Sequence, residues 1–210
     1  MPNEPFVVQQ TIFRESFPPI RVLPCGEYAL TQVILDNFLD TAHDNYIGVA
    51  PLYGARCTLT VLAFSTMSQV LLVRLSSSKK KSRSSSHKLL RSRLLCHTGR
   101  LKCAFKMDKL ATSLFLDFDL RITDGVCLLS PSGSGRDFAQ SILTTLGEDT
   151  TLHKNNVFKL FKHDENVPTT EQDVALQAWT AYRAATLVST NSTLSGLPRI
   201  NTRVLPEAVR

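Results

Sequence analysis

Residues 46–75 read YIGVAPLYGARCTLTVLAFSTMSQVLLVRL. Within them, Cys57–Phe64 (CTLTVLAF) and Gln69–Leu75 (QVLLVRL) are rich in Val, Leu and Thr, the residue types that fit a pleated, half-buried surface. The four residues between them, Ser65 to Ser68, have the length of a turn, so the two runs predict an antiparallel hairpin. Tyr46–Val49, directly after the turn-forming Asp44–Asn45, predicts a strand ahead of the hairpin.

Working outward, Tyr28–Asp40 places Leu30, Val33, Ile34 and Phe38 on one helical stripe. The residues before it, 1–27, are proline-rich, lack a sustained period and read as an irregular lead-in. Downstream, Lys102–Lys106 (KCAFK) predicts a fourth strand running into a helix over Met107–Leu116, where Leu110, Leu114 and Phe115 recur. Gly125–Leu129 (GVCLL) predicts a fifth strand, and the SPSGSG after it is turn-rich. Phe138–Leu146 and the long, amphipathic Glu171–Val188 read as helices. Residues 189–210 lose periodicity and read as a tail. The order of strands and helices over 28–188 fits one mixed α/β layer domain.

The composition is compatible with such a domain. The chain has 210 residues, 43% of them hydrophobic and 20% charged, enough to bury a core. No apolar run reaches the roughly 18 to 20 residues that span a bilayer. Met1–Gln10 carries Glu4 and lacks a basic-then-apolar-then-small pattern, which argues against a secretory signal. The cysteines (Cys25, Cys57, Cys96, Cys103, Cys127) form an odd set without a C-x-x-C pair. They describe neither a disulfide framework nor a zinc module, and a reducing compartment fits better. The expectation is a soluble, intracellular protein without a membrane partner.

The net charge of +6 is local. Between Arg74 and Lys109 stand 12 Lys/Arg and one acid, Asp108; the rest of the chain is net acidic. The densest part, Ser76 to Arg93, reads SSSKKKSRSSSHKLLRSR. Ser76 to His87 contains no apolar residue and is expected to be a mobile loop. Beyond it, Leu89, Leu90, Leu94 and Leu95 recur at helical spacing around Arg91 and Arg93, predicting a short amphipathic helix with a basic outer face. Lys79, Lys80, Lys81, Arg83, Lys88, Arg91 and Arg93 are the candidate nucleic-acid contacts, because Lys and Arg neutralise backbone phosphates without reading bases. The same residues would serve a nuclear-localisation signal, whereas the bland alternative is a solvated insertion.

Several ordered pieces together resemble a known family. Ile47-Gly48-Val49 followed by PLYG (51–54), then TLTVLAFSTMSQVLLVRL (58–75), KCAFKMDKLATSLFLDFDLRI (102–122), DGVCLLS (124–130) and VALQAWTAYRAA (174–185) are similar to the 3'-5' exonuclease domain of ribonuclease D and the Werner syndrome helicase. That domain belongs to the DEDD, ribonuclease-H-like superfamily. The resemblance implies a mixed five-stranded sheet flanked by helices, a nucleic-acid 3' end as substrate, Mg²⁺ or Mn²⁺ as cofactor if active, and a place in a larger nucleic-acid-processing assembly.

Two-metal chemistry needs convergent carboxylates to hold ions roughly 4 Å apart. The family pattern supplies an Asp-x-Glu on the first strand, an Asp on the helix after the fourth strand, and a Tyr-x-x-x-Asp on the last helix. Here Ala50-Pro51 follows Ile47-Gly48-Val49, and no acid occurs from Tyr46 to Val73. Asp173 and Gln177 stand where the last motif's Tyr and Asp would fall. Asp108 alone matches a catalytic, metal-binding acid, and one carboxylate cannot hold two metals. Other acids lie nearby, namely Asp164, Glu165, Glu171 and Asp173, although acids early in a helix also suit its dipole. The expectation is an exonuclease-like domain that binds nucleic acid with lost or severely reduced catalysis. The alternatives are an active exonuclease using non-standard acids, and a protein-interaction domain without a nucleic-acid role.

Overall fold

The computed structural model describes residues 4–76, 85–129, 138–147, 151–161, 168–190 and 194–205. Its strands are β1 (Phe6–Val8), β2 (Ile20–Gly26), β3 (Tyr46–Tyr53), β4 (Leu59–Ser65), β5 (Gln69–Arg74), β6 (Leu101–Ala104), β7 (Gly125–Cys127) and β8 (Arg199–Ile200). Its α-helices are α1 (Gln32–Asp40), α2 (Ser85–Leu90), α3 (Met107–Phe118), α4 (Phe138–Leu146), α5 (Lys154–Phe161) and α6 (Glu171–Thr190).

All eight strands form one sheet in the order β1-β2-β5-β4-β3-β6-β7-β8. At its centre, β4 lies antiparallel to both β3 and β5, while β6 lies parallel to β3 and β7 parallel to β6. These five strands are the mixed, helix-flanked sheet that the ribonuclease-H-like resemblance implies. The predicted hairpin is β4–β5, closed where the Thr66 N–H donates to the Gln69 carbonyl at 2.9 Å.

Three further strands widen the sheet beyond the five expected. β2 comes from the stretch read as irregular, and it pairs parallel with β5. Its Pro24 hides the strand in the sequence, since proline cannot donate to a ladder. β1 pairs with β2 only from Ile20 to Val22, so Pro24 faces an edge with no neighbouring strand among the described residues. At the other edge, β8 draws Arg199–Ile200 of the aperiodic C-terminal stretch against β7. Arg121 fastens the residues after β8, with its Nη1 donating to the carbonyls of Thr202 and Arg203, each at 3.2 Å. The short α5 is not evident from sequence, because only Val157 and Phe161 of its eight residues are buried.

Alternation along β3 divides the core. Ile47 and Val49 join one buried cluster with Phe38 of α1, Leu90 of α2 and Leu114 of α3. Ala50 joins the other, with Ile142 of α4, Phe161 of α5 and Ala178 of α6. The long α6 crosses β3 at Gly48, so closely that a Cβ there would lie 2.1 Å from the Ala178 carbonyl oxygen. Alanines 175, 178 and 181 of α6 are all buried, and their small side chains allow this approach. Trp179 donates its indole N–H to the Met67 carbonyl at 2.9 Å, and its ring meets Phe13 and Phe17 edge-on. Tyr182 is buried and donates its hydroxyl to the Asp44 carboxylate.

Of the expected mobile loop, residues 77–84 lie outside the described residues. Its far end is not loop: Ser85–Leu90 is helical and His87 is buried. A single buried carboxylate grips the chain on both sides of the segment. Glu27 accepts the Ser76 N–H at 2.8 Å, and its other oxygen lies 2.7 Å from His87 Nε2. After α2 the chain continues as a wide turn, Arg91–Leu95, which ends with the Cys96 N–H on the Arg91 carbonyl. Of the predicted stripe, Leu90, Leu94 and Leu95 are buried and Leu89 is half-buried. Among the described residues, no helix is long and apolar enough to cross a membrane.

Candidate functional site

β3 and β6 pair only from Tyr46 to Gly48 and from Leu101 to Cys103. Beyond that point β3 continues alongside β4, whereas β6 ends and its chain turns into α3. The two parallel strands therefore part at their carboxyl ends, where open α/β sheets hold their ligands. A cavity of about 600 Å³ fills the gap. Val49 to Gly54 form one wall and Ala104 to Lys106 the other. Phe138, Leu160, Phe161 and Gln177 close it from α4, α5 and α6.

Two of the positions singled out in the sequence, Ala50 and Gln177, both line the cavity. Ala50 is buried and brings no donor atom. Gln177 donates its side-chain amide to the Leu160 carbonyl at 2.9 Å, tying α6 to α5. Asp173, one turn earlier, serves the backbone. Its carboxylate accepts from the Thr170 N–H at 2.9 Å and the Thr170 hydroxyl at 2.7 Å, while the Thr170 Oγ1 accepts the Asp173 N–H at 3.2 Å. This reciprocal pair is a capping box at the start of α6. Glu171 forms a two-pronged ion pair with Arg74, at 2.6 Å to Nε and 2.8 Å to Nη2.

Asp108 is exposed in the first turn of α3, a favourable place for an acid, and is absent from the cavity lining. Its neighbours Lys106 and Lys109 line the cavity instead. Lys106 Nζ lies 3.7 Å from the centre of the Phe138 ring, and Lys109 Nζ lies 4.5 Å from that of Tyr53. Partial desolvation, and then the like charge of Lys109, hold Lys106 below the usual lysine pKa. Burial raises the Tyr53 hydroxyl above its ordinary value, partly offset by its hydrogen bond with Ser113 at 3.4 Å. Sequence reasoning missed both lysines. They flank the candidate acid in Lys106-Met107-Asp108-Lys109, and that basic bracket was the available signal.

The described lining of the cavity does not suit Mg²⁺ or Mn²⁺, which take carboxylate, carbonyl and water oxygens. Among the described residues, its lining holds two ammonium groups, an amide, a phenol, the Thr169 hydroxyl and the Cys57 thiol, with no carboxylate. No group of three His, Cys, Asp or Glu side chains elsewhere in the described residues is placed to hold a metal.

The candidate basic contacts divide. Lys79, Lys80, Lys81 and Arg83 lie outside the described residues. Lys88 and Arg91 are exposed, while Arg93 is engaged by Asp36 of α1. Their helix packs with α1 and α3, on the opposite sheet face from α6.

The strand order defines a mixed α/β domain. No protein-family model and no curated protein matches the chain. Solved structures similar to it include crystal structures of the EXD2 exonuclease domain. One, soaked in Mn and GMP, has 16% identity and a TM-score of 0.41, over 90% of this chain and 98% of that one. Another, soaked in Mn and dGMP, has 17% identity and the same score, over 90% of this chain and all of that one.

Proposed function

We propose that this chain is an exonuclease-like domain that binds nucleic acid and has lost catalysis, or retains very little. The observation that carries the proposal is the cavity at the parted carboxyl ends of β3 and β6. In this fold it occupies the place for a ligand, yet its described side chains are cationic or neutral and none is acidic. Such a lining favours an anion and opposes the two-metal clamp. The exposed Lys88 and Arg91 and the Lys79, Lys80, Lys81 and Arg83 run before them support the same choice of ligand, and predict sequence-independent binding with a steep salt dependence. Ala50, Asp173 and Gln177 are read as three replaced motif positions and Asp108 as the one retained motif acid. The KKKSR run would also suit nuclear import, and a companion nuclease within a larger assembly would supply the missing chemistry.

The second reading is an active exonuclease using acids outside the usual motifs. One observation favours it. Phe161 and Thr169 both line the cavity, and the chain between them carries Asp164 and Glu165.

A labelled single strand, and a duplex with a 3' overhang, titrated across salt with Mg²⁺, Mn²⁺ or EDTA, test both readings. The proposal expects binding without metal-dependent shortening, weakened when Lys79, Lys80, Lys81 and Arg83 become alanine. Absence of binding at low salt would leave the protein-interaction alternative.

A further inference from the structure

Lys106 and Lys109 are the two cationic side chains among the described residues of the cavity. Both amines lie against its wall. Phe138 and Tyr53, the rings beneath them at 3.7 Å and 4.5 Å, are themselves lining residues, so each ring holds an ammonium at the cavity boundary. Two like charges facing one partly desolvated space repel each other, and an entering anion removes that repulsion.

The remaining walls are apolar and partly aromatic. Phe105 meets Phe161 edge-on, with ring centres 5.2 Å apart, and Leu52 and Leu160 extend the surface. One space thus offers a positive end and an apolar, ring-lined end. Those are the two requirements of a nucleotide, whose phosphate seeks cations and whose base seeks flat apolar surface. A volume of about 600 Å³ falls within the range of small-molecule sites.

We infer that this cavity binds the terminal nucleotide of a nucleic-acid strand without a metal, with Lys106 and Lys109 neutralising the phosphate charge that divalent cations would otherwise neutralise. The inference rests on the nucleic-acid reading above and adds to it the place, the groups and the independence from metal.

Titration calorimetry of the full chain in EDTA, with a nucleoside 5'-monophosphate as probe, tests it. Parallel titrations with the nucleoside and with inorganic phosphate separate the two ends of the ligand. The expected result is binding of the monophosphate that Mg²⁺ changes by less than twofold, with the nucleoside at least tenfold weaker. Lys106→Glu and Lys109→Glu should each weaken it at least tenfold, while the arginine variants retain it. Both lysines are exposed, so their thermal transitions should match the parent and separate loss of binding from loss of fold. Cys57 lines the same cavity and is exposed, so bound monophosphate should also slow its reaction with a maleimide. Equal affinity for nucleoside and monophosphate, a requirement for Mg²⁺, or indifference to both glutamate variants would overturn the inference. If an oligonucleotide still binds in that case, the nucleic-acid reading survives and only the cavity assignment fails.

Discussion

Gly48→Ala probes the contact on which the cavity's geometry depends. A Cβ at residue 48 would stand 2.1 Å from the Ala178 carbonyl oxygen, 2.4 Å from the Tyr182 amide nitrogen and 2.8 Å from the Tyr182 Cβ. The two nearest atoms belong to the helix backbone, so no rotamer change relieves the clash. To reach an ordinary contact of 3.4 Å, α6 must retreat from β3 by about 1.3 Å, or β3 must bend. Overpacking a core typically costs about 1–3 kcal/mol. Displacing a helix that carries Trp179 and Tyr182 adds lost packing along its length, so the expected cost is about 3–5 kcal/mol. That is a large fraction of a domain stability on the order of 5–15 kcal/mol. Urea unfolding should show a markedly lower midpoint with an unchanged slope. Gly26→Ala is the control, because its φ is −70° and nothing lies within 4 Å of the added Cβ; it should stay within about 0.5 kcal/mol of the parent. A Gly48→Ala variant within about 1 kcal/mol of the parent would refute the crossing of α6 over β3.

Three further outcomes are expected. Lys102 is fully buried, its ammonium donating to the His97 and Arg100 carbonyls at 2.9 Å each, and burial lowers its pKa to about 8 from 10.5. Between those values the unfolded chain holds the extra proton, so the charging penalty present below about pH 8 is relieved as pH rises. Relative to Lys102→Met, the parent should gain about 2–3 kcal/mol between about pH 7 and pH 10, and a flat difference would contradict it. Thr170→Val removes the capping hydroxyl of α6 and should cost about 1 kcal/mol by thermal or urea unfolding, whereas an unchanged midpoint would deny the Thr170 hydroxyl its capping role. In native protein at about pH 8, iodoacetamide should modify exposed Cys57 first and spare Cys103, whose buried thiol is pushed up to about 12; peptide mass spectrometry showing equal rates would place Cys103 outside the core.

The centre of the fold was legible because β4 and β5 are runs of Val, Leu and Thr bounded by turn residues, and because α3 and α6 keep helical spacing. The outer strands were not. Pro24 argues against a strand until its open edge is seen, and Arg199–Ile200 is a strand only by pairing with β7. At the site, the sequence singled out Ala50 and Gln177, and the fold brings both to one cavity. It did not reveal that Lys106 and Lys109, on either side of Asp108, turn toward that cavity. Spacing alone cannot separate a helix's first turn from the strand end that precedes it when both border the same gap. Asp173 suits a helix start on sequence grounds, and the capping box with Thr170 supplies the atoms of that role.

Single-turnover digestion of a 3'-labelled strand by excess protein addresses the central claim most directly, run with Mn²⁺, with Mg²⁺ and with EDTA beside a binding measurement on the same strand. A cavity bordered by lysines and no described carboxylate predicts a bound strand of unchanged length in all three conditions. Metal-dependent shortening that is lost in Asp108→Ala, or in a variant with both Asp164→Ala and Glu165→Ala, would contradict it and establish an active exonuclease with its acids in new places.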